Sequence, residues 1–146
     1  MATFNKINNF VENLAEGVHN FQTATLKLVL IANNPSSLTT YSQIQSAGGE
    51  LANGNGYTQG GFPLTGVTSS QTGGTYKLDA NDASWTASGG DLGTNLDTFR
   101  YVVLYDDSAT FKNVIGYWDY GSNLTIADGN SFSVQFDASN GILTIA

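Results

Sequence analysis

The amino-acid sequence predicts a mostly β fold, an antiparallel β-sandwich or barrel-like domain with an N-terminal amphipathic helix and one further short helix. Only 12% of the residues are charged, whereas long solvated helices need more Lys and Glu. Turn-forming Gly, Asn and Ser are frequent. Short β-prone runs follow one another at a spacing of roughly 8–12 residues. We therefore divide the 146 residues into an N-terminal helical segment, residues 1–22, and a single β domain, residues 23–146.

The helix is predicted over residues 4–21, where apolar side chains recur at spacings of three and four. Its polar face is rich in Asn, which has a low helix propensity, so packing must stabilise the helix. Two interpretations remain open: the helix covers one end of its own β core, or it docks on a neighbouring subunit. The candidate assembly contact on its apolar face consists of Phe4, Ile7, Phe10, Val11 and Leu14.

The first strand is predicted over residues 24–32, whose nearly continuous apolar run indicates burial on both faces. The sequence Asn33-Asn34-Pro35 ends this strand. Ser36 or Ser37 is then expected to cap the second, short helix, with its apolar residues on one face. That face would consist of Leu38, Tyr41 and Ile44. Further strands are predicted over residues 62–68, 75–79, 83–87, 98–105, 112–120, 123–127, 131–137 and 141–145.

Two features in the C-terminal part of the sequence predict how particular strands pair. Asp128-Gly129 lies between two alternating segments, residues 124–126 and 132–136, and this pattern is typical of a tight β-hairpin. Residues 141–146 form an apolar run that would be an aggregation-prone edge if it were unpaired. We therefore expect this last strand to be central in a sheet or paired with another subunit.

Charge and composition disfavour several classes of function. The net charge is −7 with only five Lys and Arg residues, so the sequence predicts no direct binding of nucleic acid. Cysteine is absent, which excludes disulfides and thiolate metal sites. The N-terminus lacks the apolar core of a signal peptide, and no apolar run reaches the length of a membrane span. We expect neither conventional secretion nor a membrane partner.

No candidate catalytic, cofactor-binding or metal-binding residues emerge, and the sequence predicts that the chain is not an enzyme. His19 is the single histidine and is interpreted as a polar residue near the carboxyl end of the helix. Most aspartates fall in turns, where their side chains accept backbone hydrogen bonds. The segment that begins at Asp79 lacks the closing Glu of a calcium loop, and no glycine cluster matches a phosphate loop. A calcium site built from separated loops, such as Asp106-Asp107 with another turn, stays open.

Aromatic residues near the end of the long strand over residues 112–120 form a candidate surface patch. Flat rings on an exposed β face can stack on sugars, which makes a carbohydrate-binding module one alternative function. The other interpretation is that Trp85 and Trp118 belong to the core. The patch consists of Tyr117, Trp118, Asp119 and Tyr120.

Several longer strings resemble a known family over nearly the whole chain. They are Asn8-Asn9-Phe10-Val11-Glu12, Gly54-Asn55-Gly56-Tyr57, Trp85-Thr86-Ala87-Ser88-Gly89-Gly90, Phe99-Arg100-Tyr101-Val102-Val103-Leu104-Tyr105, Gly116-Tyr117-Trp118-Asp119-Tyr120-Gly121 and the ending Phe136-Asp137-Ala138-Ser139-Asn140-Gly141-Ile142-Leu143-Thr144-Ile145-Ala146. With these strings the chain resembles small virion structural proteins of tailed bacteriophages, of the capsid decoration (cement) type. Residues 38–51 match the family pattern least.

The resemblance implies a function without catalytic residues. A protein of this type binds the major capsid protein lattice and stabilises the head, often as a homotrimer. The expected location is the capsid exterior of the virion, after synthesis in the cytoplasm of the host bacterium. Another virion role, as a tail or head-completion component, is the alternative within the same class, beside the carbohydrate-binding β module.

Overall fold

The computed structural model describes residues 2–93 and 98–146. Residue 1 of the predicted N-terminal segment and residues 94–97 of the predicted β domain lie outside the described residues. The elements in chain order are β1 (Phe4–Lys6), α1 (Asn8–Ala15), β2 (Leu26–Ile31), α2 (Tyr41–Gln43) with a π-helical turn (Ile44–Gly48), β3 (Phe62–Pro63), β4 (Thr68–Thr72), β5 (Thr75–Asp79), β6 (Ala83–Thr86), β7 (Phe99–Asp106), β8 (Val114–Leu124), β9 (Ser131–Val134) and β10 (Leu143–Ile145).

These strands form three antiparallel sheets. The main sheet has five strands in the order β1-β8-β7-β2-β3, a second sheet has the order β10-β5-β4, and β6 pairs with β9. Strands account for 41% of the residues and helices for 11%, so the predicted mostly β, sandwich-like fold is confirmed. In the main sheet every neighbouring pair of strands is antiparallel.

Strands β2 and β7 form the centre of the main sheet. They pair over six residues, with Val29 opposite Val103. Leu28, Val29, Leu30 and Ile31 have no solvent exposure, and since successive side chains of a strand point to opposite faces, both faces of β2 are buried. The predicted central strand that is buried on both faces is confirmed.

The N-terminal segment differs from the prediction of one helix over residues 4–21. Its first residues are extended and pair with β8, with Phe4 opposite Trp118. The Ile7 N–H continues this pairing by donating to the Ile115 carbonyl, at 3.1 Å. Helix α1 then covers only Asn8–Ala15, so His19 and Phe21 lie beyond it. The edge of β8 offers backbone partners to an extended segment, and tertiary pairing here outweighs the helical spacing of the apolar residues.

The predicted hairpin around Asp128-Gly129 is wrong. Strand β9 pairs with β6, with Trp85 opposite Phe132, and residues 125–127 belong to no strand. The Asp-Gly sequence does form a turn, in which the Asn130 N–H donates to the Ala127 carbonyl. The Asp128 carboxylate accepts from the Gly89 N–H, at 3.0 Å, so it fixes the loop after β6 instead of closing a hairpin.

Three smaller differences concern a helix cap, a split strand and the position of the last strand. The second helix begins at Tyr41 and is capped by Thr40, not by Ser36 or Ser37, although its expected apolar face is buried. The strand predicted over residues 62–68 is split into β3 and the beginning of β4. The last strand, β10, is not central in its sheet, although it does pair with a strand of its own chain. It is the edge strand of the second sheet, with Leu143 opposite Leu78 of β5.

Candidate functional site: an apolar groove at two sheet edges

An apolar groove of about 640 Å³ lies between the N-terminal segment and the last strand. One wall is formed by β1 and α1, and the other by residues 140–145, which include β10. Trp118 of β8 also lines it. We call this site the edge groove, because β1 is the outermost strand of the main sheet and β10 is the outermost strand of the second sheet.

The wall at β1 depends on a close approach between Phe4 and β8. The Phe4 ring packs against Trp118, with ring centroids 5.0 Å apart. Gly116 makes this possible, since a Cβ atom at that position would lie 2.4 Å from the Phe4 ring and 2.6 Å from the Asn5 carbonyl oxygen. The glycine therefore allows the aromatic side chain of β1 to cover its neighbouring strand.

Helix α1 and its N-cap residue Ile7 supply both core and surface residues to this region. Ile7 and Phe10 are only 3% and 4% exposed and pack in the core. Val11 is 53% exposed on the rim of the groove, and Leu14 is partly buried beside it. Of the five residues of the predicted assembly contact, four line the groove, namely Phe4, Phe10, Val11 and Leu14. Ile7 does not line the groove and Phe10 is largely buried, because one turn of the helix seals the domain's own core.

The opposite wall is positioned by a turn before β10. The carboxylate of Asp137 accepts hydrogen bonds from the backbone N–H groups of Asn140 and Ser139, and these bonds lower the pKa of Asp137. Gly141 follows with a left-handed φ of 63°, and a Cβ atom there would lie 2.3 Å from the Leu78 carbonyl oxygen. The chain thereby comes close enough for the Ile142 N–H to donate to the same carbonyl, at 2.7 Å.

The groove carries one charge among its described lining residues, the ammonium group of Lys6. The other four cations of the chain each lie within 4 Å of a carboxylate: Lys27 and Lys112 beside Asp107, Lys77 beside Asp79, and Arg100 beside Asp119. Within residues 2–93 and 98–146, Lys6 is the cation that has no carboxylate partner. The groove of this acidic chain thus presents a positive charge that has no carboxylate partner among the described residues.

The aromatic surface patch predicted at residues 117–120 does not form. Alternation along β8 places these side chains on two faces of the sheet. Trp118 is 3% exposed and contacts Phe4, which makes it a core and groove residue. Tyr120 packs against Phe132 in a T-shaped arrangement, with centroids 5.3 Å apart. The interpretation of Trp118 as a core residue is confirmed, and the same holds for Trp85.

The remaining two residues of that prediction lie on the other face of β8. Tyr117 contacts Tyr101 edge to face. The Arg100 guanidinium donates to both oxygens of Asp119, at 2.7 and 3.0 Å, and lies 5.3 Å from the Tyr101 ring centroid. The hydrogen bonds from Arg100, followed by one from the Gly121 N–H, lower the pKa of Asp119. Asp119 therefore has its partners within the chain.

One pair of polar residues was missed by the sequence reasoning. His19 is buried against the rings of Phe10 and Phe21, with each ring centroid 5.8 Å from its own, and its Nδ1 lies 2.9 Å from Oδ2 of Asp106. Burial tends to raise the pKa of Asp106, but hydrogen bonds from His19 and Ser108 outweigh it and lower that pKa. The two residues are 87 positions apart, so no local motif could indicate their contact.

The His19 pair does not have the arrangement of a catalytic triad. In such a triad the serine hydroxyl bonds to the imidazole, whereas the Ser108 hydroxyl bonds to Asp106, the same carboxylate that His19 uses. The His19 side chain has no solvent-accessible surface, and its Nε2 has no hydrogen-bond partner. The geometry therefore supports a structural role.

Phe111 is a second feature that the sequence reasoning did not single out. It lies in the turn between β7 and β8 and is 72% exposed. Its signal in the sequence is an aromatic residue inside the polar stretch of residues 106–113, where a core ring is not expected. Phe111 and Val11 are thus two exposed large apolar side chains at different places on the surface.

The fold is mostly β with antiparallel sheets and is sandwich-like, and the edge groove is its candidate site. No family model, curated protein or solved structure matches the chain. Among the described residues, no group of three or more His, Asp or Glu side chains is placed to hold a metal ion. Neither α1 nor α2 has the length and apolar character needed to cross a membrane.

Proposed function

We propose that this chain is a structural protein of a bacteriophage virion, a capsid decoration (cement) protein. In this proposal it binds the major capsid protein on the capsid exterior and stabilises the head, and it associates as a homotrimer. The observation that carries the proposal is the edge groove. It combines apolar lining residues with two strands, β1 and β10, that are outermost in their sheets among the described residues, and both features are typical of protein–protein contact sites. The resemblance of the sequence to phage decoration proteins supplies the identity of the partner.

Aromatic contacts between different elements of the domain also support the proposal. A shell protein stabilises its neighbours only if it does not deform when they move. Paired rings cross-link the elements: Tyr41 stacks on Tyr105 at 4.8 Å, and Phe99 meets Phe132 at 4.9 Å. Aromatic pairs of this kind contribute about 0.5–1.5 kcal/mol each beyond their burial.

The size of the groove favours a repeated, multivalent contact. A stable interface between two proteins normally buries about 800 Å² on each partner, and a narrow groove with few exposed apolar residues offers a smaller contact. On a lattice, however, a trimer would use several grooves at once, and linked weak contacts add in free energy. Trimerisation therefore belongs to the proposal and is tested with it.

The carbohydrate-binding alternative loses the observation that motivated it. Stacking on a sugar needs an exposed flat ring, but Trp118 is buried beneath Phe4 and Tyr120 is packed against Phe132. A tail or head-completion role uses the same kind of assembly surface. Electron microscopy of labelled particles separates it from decoration of the head.

The decisive experiment mixes the purified chain with heads of the encoding phage that lack it. We expect co-sedimentation with the heads, regularly placed density on the capsid surface and increased resistance of the heads to heat. Light scattering on the free chain is expected to give the mass of a trimer. Absence of binding to the heads would contradict the proposal, and density confined to the tail would favour the other virion role.

A matched pair of variants tests the groove itself. Val11→Glu places a charge on the rim of the groove, whereas Val18→Glu changes an exposed valine outside its lining. Both valines are exposed, so both variants should fold with little change in stability. We expect Val11→Glu to weaken binding to the heads at least tenfold and Val18→Glu to leave it unchanged. Equal binding by the two variants would exclude the groove as the contact surface.

A further inference from the structure

We propose that the edge groove binds an extended apolar segment of a partner protein by strand addition to β10, with a carboxylate of that segment paired to Lys6. This inference rests on the proposed function only in taking the groove as a contact surface. It adds the conformation of the bound segment and its chemistry.

The open edge of β10 is the first argument. Strand order places β10 at the end of the second sheet, with β5 on one side and no strand among the described residues on the other. An edge strand presents unpaired backbone N–H and C=O groups, and an extended peptide satisfies them. Strand β1 is likewise the last strand of the main sheet and lies across the same groove. A segment between them would have a strand edge on each side.

The lining of the groove fits an extended segment with alternating side chains. In a strand, successive side chains point to opposite faces, so every second residue of the added segment would face the lining. That lining is apolar at Phe4, Leu14 and Trp118. Strands β1 and β10 have three residues each, which corresponds to a length of about 10 Å at ~3.3 Å per residue. The site therefore suits a short segment with two or three paired residues.

Charge complementarity supplies the carboxylate. Lys6 is the one charged residue among the described lining residues, and the other cations of the chain already lie beside carboxylates. An acidic side chain at the end of an apolar segment would meet Lys6 without displacing an existing ion pair. An opposite charge at this position mainly selects the partner and its orientation in the groove.

The direct test uses short synthetic peptides and the full chain labelled for NMR. The first peptide alternates Val and Thr and carries one Glu. Its two controls carry Lys in place of Glu, or N-methyl groups on alternate residues, which remove backbone donors. We expect the first peptide to shift the backbone amide signals of β10 and to slow their hydrogen exchange. We expect the N-methylated peptide not to bind and the Lys peptide to bind more weakly.

Two variants of the chain separate the contributions. Lys6→Ala is expected to weaken binding of the Glu peptide about two- to fivefold, the range for an exposed ion pair, and to leave binding of the Lys peptide unchanged or improved. Lys112→Ala removes a cation outside the groove lining and should not change either affinity. Equal binding of the methylated and unmethylated peptides, or no binding of either, would overturn strand addition.

The outcomes for the two proposals can be told apart. If the phage heads bind the chain but do not slow hydrogen exchange at the backbone amides of β10, strand addition is wrong and the decoration function stands. If the peptide binds but the heads do not, the decoration function is wrong and the strand site stands. The chain could also associate with itself in the absence of peptide, which would increase its mass in solution. If Val11→Glu abolished that increase, the occupant of the groove would be a second copy of the chain, and this inference would be overturned.

Discussion

Nδ1 of His19 lies 2.9 Å from Oδ2 of Asp106, and this contact joins the N-terminal segment to the end of β7. The other carboxylate oxygen of Asp106 accepts a hydrogen bond from the Ser108 N–H, at 3.0 Å. The pair is almost fully enclosed, with side-chain exposures of 0% and 2%. Removal of either partner would leave a buried polar group without its hydrogen bond, which costs about 1–3 kcal/mol, and more for a charged group.

The first prediction concerns the energy of this contact. Asp106→Ala should lower the free energy of unfolding by about 2–4 kcal/mol, because it leaves the His19 imidazole without its acceptor. Asp119→Ala, which breaks the more exposed pair with Arg100, should cost no more than about 1 kcal/mol. Urea denaturation of the two variants measures both values. Equal losses would mean that burial of the His19 pair adds nothing.

The second prediction concerns acid sensitivity. Burial tends to raise the pKa of Asp106, but the hydrogen bonds from His19 and Ser108 leave it below its ordinary value of 3.8. A carboxyl group whose pKa is lower in the folded state than in the unfolded state stabilises the fold at any pH above its unfolded-state pKa. This contribution is lost as the pH falls through the folded-state pKa. The stability difference between the wild type and Asp106→Asn should therefore shrink as the pH falls below 3.8. Urea titrations across that range measure it, and a difference independent of pH would contradict the assignment.

The third prediction concerns attachment of β1. Gly116→Val should separate β1 from β8, because any Cβ atom at this position overlaps the Phe4 ring and the Asn5 carbonyl. Overpacking of this kind costs about 1–3 kcal/mol. Hydrogen exchange should accelerate in residues 4–7 while β2 and β7 stay protected. Ser122→Val, at an exposed position of the same strand, is the matched control.

The fourth prediction concerns three tyrosines around the loop that precedes β3. Burial, aided by Glu50, raises the pKa of Tyr57 and of Tyr41 above 10, and burial also raises that of Tyr105. These tyrosines contribute their full stability at a pH below the ordinary tyrosine pKa of about 10. The contribution is lost as the pH rises above that pKa, because the unfolded chain then ionises more readily than the folded one. We expect their ionisation, followed by ultraviolet absorbance, to coincide with alkaline unfolding.

A variant of Tyr57 checks this assignment. The Tyr57 hydroxyl donates to Glu50, at 2.8 Å, and accepts from the Leu30 N–H, at 3.2 Å. Tyr57→Phe should remove one tyrosine from the group that ionises on unfolding and destabilise the fold by about 1–3 kcal/mol, since both partners lose a bond. If all three tyrosines titrate in the folded protein, the network does not shield them.

The strands with strong local patterns were predictable from the sequence. The apolar run of β2 and the β-branched and aromatic residues of β7 identify buried strands without any tertiary information. The helical spacing of Phe4, Ile7 and Phe10 was misleading, because a strand residue followed by a short helix can reproduce it by chance. The Asp128-Gly129 pattern gave a real turn, but β9 found its partner in β6, which lies earlier in the chain.

The groove could be predicted only in part, for a physical reason. Its residues on α1 were recognised as an apolar face, and four of the five predicted contact residues line it. Its other wall comes from the last strand, and a contact between the two ends of a chain leaves no local pattern. The same applies to His19 and Asp106, and to the role of Gly116, which depends on where the Phe4 ring lies.

The meeting of β1 and β10 at one groove has a practical consequence for protein engineering. A tag or display cargo placed next to β1 or β10 would lie beside the edge groove and compete with the segment that we propose binds there. The exposed Gly73-Gly74 turn between β4 and β5 is a better insertion point.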